Sequence, residues 1–70
     1  MEISTEIKRI RQSTMLSQEE FARELGVSFA TVNRWETGHS QPSYRTLRLI
    51  DEYCKNHNIS FDVSNALDMN

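Results

Sequence analysis

The chain has 70 residues, and a domain this short buries only about 60% of the surface its unfolded form exposes, so it holds one compact core and no more. Eight Lys and Arg against ten Asp and Glu give a net charge of −2, and 37% of residues are apolar, a balance that fits a globular chain rather than a disordered tail. A single cysteine, Cys54, rules out an internal disulfide, and with two histidines it cannot complete a four-ligand structural zinc site. No apolar run exceeds two residues, far short of the ~20 of a membrane span. No apolar signal core follows Met1, and the expected location is the cytoplasm. Helix packing and capping must supply the stability.

Ile3, Ile7 and Ile10 recur at i, i+4 and i+7, which predicts a first helix over about 4–14 with Lys8, Arg9 and Arg11 off the apolar stripe. Ser17-Gln18-Glu19-Glu20 is a capping box: the Ser17 hydroxyl accepts from the Glu20 amide and the Glu20 carboxylate reaches back to the Ser17 amide. Leu16 precedes it as a hydrophobic staple. Phe21, Ala22 and Leu25 form the apolar face of this second helix, and Gly26 stands where a C-terminal cap needs a left-handed residue. Ser28 caps a third helix that Gly38 stops. On its wheel Val32 and Trp35 face one way; Ala30, Asn33, Arg34 and Thr37 face the other, with Phe29 and Glu36 on a flank. After Pro42, Ser43 caps a fourth helix with Leu47, Ile50, Tyr53 and Cys54 on one stripe, fading near Asn56. The following residues through Val63 alternate as a strand does, yet Val63, Ala66 and Leu67 also share a helical face, and the pattern leaves both open.

The run 18–37 carries the functional information. Two short capped helices joined through Gly26-Val27 have no spare residues between them, so they must cross steeply, as in a helix-turn-helix. Close crossing needs a small residue, Ala22, and the corner needs a left-handed one, Gly26. Val27 plugs the corner, while Val32 and Trp35 pin the second helix to the core.

With these residues in register, the chain resembles the phage-repressor and Cro-type helix-turn-helix domains, also called xenobiotic-response-element-type regulators. The likeness covers about 4–56 and is strongest over LSQEEFARELGVSFATVNRWETG. It implies an all-α, compact bundle of four to five helices of the lambda-repressor-like type, with the helix-turn-helix at 18–37 inside a domain spanning 1–57 and a tail at 58–70. It also implies that the third helix enters the major groove of double-stranded DNA. Phe29, Ala30 and Arg34 fall at the family's principal base-reading positions, with Ser28, Thr31 and Asn33 beside them. Arg is the residue type that grips guanine O6 and N7, and Asn does the same for adenine. Family members often carry polar side chains where Phe29 and Ala30 stand, and these two residues are suited only to thymine methyls or edge-on contact. Gln18 falls where the family contacts phosphate. Arg11 and Glu36 match a pair that ties the first helix to the third, which leaves Lys8, Arg9, Ser40, Gln41, Ser43 and Arg45 as the remaining phosphate contacts. The net charge is acidic, so binding relies on distribution, with Arg9, Arg34 and Arg45 sharing one face.

One such domain reads too few base pairs for genomic specificity, so a homodimer on a two-fold operator is expected, with Ile59, Phe61 and Val63 as the dimer element, either strand or short helix. The expected function is that of a small Cro-like repressor that needs no cofactor or metal. The competing reading is an antitoxin-like or adaptor module whose C-terminal segment binds a protein partner. Catalysis ranks below both, since no nucleophile–base grouping, paired carboxylates or phosphate-cradling glycine loop is present.

Overall fold

The computed structural model describes residues 2–62, and the expectations for Val63, Ala66 and Leu67 lie outside them. Four helices follow in order: α1 (Ile3–Ser13), α2 (Gln18–Leu25), α3 (Phe29–Glu36) and α4 (Tyr44–Asn56). The fold is all-α, with no strand among the described residues.

Serine opens three of these helices. The Ser17 hydroxyl accepts from the Glu20 amide at 3.1 Å while the Ser17 amide donates to Glu20 Oε1 at 2.9 Å, which completes the capping box. Ser28 Oγ accepts from the Thr31 amide at 3.1 Å and Ser43 Oγ from the Thr46 amide at 3.2 Å. Each bond satisfies a helix-start amide that otherwise has no partner within the helix.

All four helices end in the same way. A left-handed residue (Met15, Gly26, Gly38 or Asn58) turns the chain, and the next amide reaches back five residues. The bonds are Leu16 to Arg11, Val27 to Ala22, His39 to Arg34 and Ile59 to Cys54, the last at 2.8 Å. This is the Schellman arrangement, in which the residue after the left-handed one places an apolar side chain against the helix it has just left. Leu16, Val27 and Ile59 do so: all three are partly buried against the core.

That ending accounts for the C-terminal segment. Residues 59–62 form neither strand nor helix. Ile59 is spent closing α4, Phe61 packs partly against the same core, and the Ser60 carbonyl accepts from Arg9 at 2.7 Å. The alternation Ile59-Phe61 reflects two anchor points of a strap laid back on its own domain.

Ile7, Ile10, Phe21, Val32 and Ile50 are fully buried at the centre, with Ile3, Ala22, Leu25, Trp35, Leu47, Tyr53 and Cys54 around them. Every stripe read from helical spacing supplies its share. Phe21 meets Tyr53 edge to face at 5.5 Å, which joins α2 to α4. Val32 and Trp35 face inward, so the opposite side of α3 faces outward.

Candidate nucleic-acid interface

The α2–α3 corner is built around Gly26, at φ 77° and ψ 28°, a conformation that costs a side-chain-bearing residue about 1–2 kcal/mol. No atom lies within 4 Å of where a Gly26 Cβ would sit, so backbone freedom alone explains the glycine. Ala22, the small residue expected where the two helices meet, is 2% exposed.

Ser28, the residue that caps α3, is exposed, as are Phe29, Ala30 and Arg34 on the helix, and Thr31 and Asn33 are half-buried. Phe29 keeps 51% of its surface open in the first turn of the helix. Ser28 and Thr31 hydroxyls meet at 2.8 Å. Beyond the helix, Thr37 donates to the Asn33 carbonyl at 2.9 Å and meets His39 Nδ1 at 2.7 Å. Gln41, Ser43 and Arg45 are exposed and Ser40 half-buried, while Pro42 between them is buried and pins the loop. Tyr44, which sequence reasoning did not single out, stands beside Ser43 with 66% of its surface open. Only its position at a capped helix start marks it in the sequence.

Arg11 and Glu36 join α1 to α3. Arg11 Nε donates to Glu36 Oε2 at 2.7 Å and Nη2 to Oε1 at 2.9 Å, a two-pronged geometry, and Nη1 donates to the Leu16 carbonyl at 2.9 Å. The Glu36 side chain is only 3% exposed. Burial pushes its carboxyl up, but hydrogen bonds from Arg11 and Gln18 and the charges of Arg11 and Lys8 outweigh this and hold it below the ordinary value.

Gln18, the first residue of α2, is tied inward more than the sequence foretold. Its Nε2 donates to Glu36 Oε1 at 3.0 Å, and its Oε1 accepts from Asn33 Nδ2 at 3.1 Å. Separations of 15 and 18 residues gave no periodic cue to either bond.

The candidate phosphate cations differ in availability. Lys8, Arg34 and Arg45 are exposed and make no ion pair with a described residue. Arg9 instead pairs with Glu6 at 2.9 Å and holds the Ser60 carbonyl. Its Nε and Nη2 are spent on those partners, which leaves Nη1 as the end that can meet a phosphate.

The geometry is that of two capped helices around a glycine corner, the second presenting a polar outer face. A family model described as helix-turn-helix matches residues 7–57. The chain belongs to the Cro/C1-type helix-turn-helix family. The YiaG helix-turn-helix transcriptional regulator of Escherichia coli K12 is 46% identical over 46 residues, covering 66% of this chain and 48% of that protein. The helix-turn-helix transcriptional activator BcrR of Enterococcus faecalis is 30% identical over 53 residues, covering 76% of this chain and 26% of its own. The chain thus spans about half the length of the YiaG relative or less of the longer one. No solved structure matches it. As a member of this helix-turn-helix family it is a DNA-binding domain of the transcription-regulator type. No helix among its described residues is long and apolar enough to cross a membrane.

Proposed function

We propose that this helix-turn-helix domain binds a specific double-stranded DNA operator with α3 in the major groove and acts as a small repressor in the cytoplasm. The observation that carries the reading is the outward face of α3, where an exposed Arg34, with no ion pair among the described residues, stands beside exposed Ala30 and Phe29 while Val32 and Trp35 fix the helix from behind. Arg34 reads guanine, Asn33 adenine, and Phe29 and Ala30 contact thymine methyls, with Ser28 and Thr31 at the groove edge. Lys8, Gln18, Ser40, Gln41, Ser43 and Arg45 hold phosphates and set the register, and the Tyr44 hydroxyl joins them at the start of α4. Arg9 is the weakest member of that set because Glu6 and Ser60 already engage it.

Two copies bind half-sites about 34 Å apart, one turn of the duplex. They pair through the C-terminal segment, using Val63 and whatever surface Ile59 and Phe61 keep while partly buried against their own core. Occupying an operator that overlaps a promoter excludes polymerase, and repression is the sign proposed. BcrR is named an activator, so the test must read the sign as well as the binding.

Selection of binding sites from random duplexes is expected to return a two-fold-related sequence. A reporter behind that sequence is expected to fall when the protein is expressed. Arg34→Ala should lose preference at one guanine per half-site by about tenfold or more. Recovery of random sequence by the wild-type protein contradicts the proposal.

A further inference from the structure

Four polar side chains from three helices form one continuous line from a part-buried ion pair to the surface of α3. Arg11 donates twice to Glu36, Gln18 Nε2 donates to Glu36, and Asn33 Nδ2 donates to Gln18 Oε1. The direction of every bond is dictated from the buried end. A guanidinium has only donors, so the carboxylate beside it is held ionised and has only acceptors. Gln18 must therefore turn its NH2 toward Glu36, which leaves its carbonyl oxygen facing Asn33. Asn33 must in turn offer its NH2 to Gln18.

The amide edge that Asn33 has left to present is thereby fixed. One N–H and the Oδ1 acceptor remain unspent. In the major groove adenine shows an N6 donor beside an N7 acceptor, the complement of that edge, whereas guanine shows two acceptors and thymine one acceptor beside a methyl group. An asparagine free to rotate its amide by half a turn presents its donor and acceptor in either order. This one is denied the reversed order, because reversal places two oxygens in contact at Gln18.

We propose that the Arg11–Glu36 pair, acting through Gln18 as a positioning residue, locks the polarity of the Asn33 amide and so commits it to adenine. This rests on the reading of α3 as the base-contacting helix. Gln18 then has two separable roles. Its loss from the phosphate set weakens binding uniformly across sequences, whereas its loss as a lock changes preference at one base pair only.

Site selection on the wild-type chain, Asn33→Ala and Gln18→Met separates the outcomes, with thermal melting confirming that each variant folds. The wild type is expected to select adenine at one position of each half-site, and Asn33→Ala to lose that preference by about tenfold. Gln18→Met, which removes both amide bonds while keeping side-chain length, is expected to bind more weakly everywhere and to lose the adenine preference at that same position by a similar factor. The lock is overturned if Gln18→Met weakens binding without relaxing the adenine position, or if Asn33→Ala alters no position while Arg34→Ala still alters its own. If the wild type selects no sequence, the base-reading proposal itself falls and this inference falls with it. A readout independent of DNA and of any variant is the nuclear Overhauser effect between the Asn33 NH2 protons and the Gln18 side chain in the free protein. Its presence is expected, and its absence overturns the lock.

Discussion

Met15 adopts φ 59° with 91% of its surface exposed, so it meets the strain of a left-handed backbone with little packing to offset it. Glycine serves the same turn after α2 and α3, and asparagine, which tolerates it, after α4. Met15→Gly is therefore expected to stabilise the domain by about 0.5–1 kcal/mol, visible as a rise of several degrees in melting temperature; a fall contradicts the strain. Glu36 sets the acid limit. Its carboxyl lies below the ordinary value of 4.5 in the folded chain, so its contribution is complete above that value and fades as pH falls through the depressed one. Glu20 acts in the same direction: the backbone hydrogen bond from Ser17, then the one with its hydroxyl, lowers its carboxyl. Melting temperature followed from pH 6 to pH 2 is expected to fall steeply in the wild type and less steeply in Glu36→Gln, which starts lower. Parallel curves would contradict the assignment. Cys54 takes no part near neutrality, since burial holds its thiol up at about 11.

Each element is specified by an apolar stripe and a stop signal, and α2, α3 and α4 by a serine start signal as well, and these differ in how openly the sequence shows them. Serine caps and isoleucine spacing are local, so α1 through α4 and their inward faces are legible within a residue or two. Glycine stops are legible as well. The stop at Met15 is hidden, because methionine carries no preference for a left-handed turn and only the core contact of Leu16 reveals why the chain turns there. Ile59 misleads for the same reason: an apolar residue closing a helix looks, in an alternating run, like the start of a strand. The site divides similarly. A wheel distinguishes Arg34 from Trp35, but the bonds of Gln18 to Glu36 and Asn33 depend on the angle between α2 and α3, which no spacing encodes. At the corner itself, Gly26→Ala meets no neighbouring atom, so its cost is that of the backbone alone, about 1 kcal/mol. Thermal unfolding should show a loss of roughly 4–8 °C; no loss contradicts the turn.

For the whole molecule the net charge stays acidic after ion pairing, because each pair removes one charge of either sign, so the proposed DNA contact depends on where the remaining cations lie. Arg11, Arg9 and Lys55 are neutralised by Glu36, Glu6 and Asp51, whereas exposed Lys8, Arg34 and Arg45 keep their charge without an ion pair to a described residue. A dimer bringing three such cations from each copy to phosphates should show a slope of about −5 for log affinity against log salt. A slope near zero contradicts a phosphate-anchored complex. The central claim is that the outer side of α3 is the surface that meets the duplex. The most direct measurement is a titration of the isotopically labelled protein with its selected duplex, followed amide by amide. The account predicts saturable shifts concentrated at 28–34, with further ones at 17–18 and 40–45, and a quiet back surface around Glu52 and Asn56. Shifts confined to α4 and the C-terminal segment, with 28–34 unmoved, would contradict it.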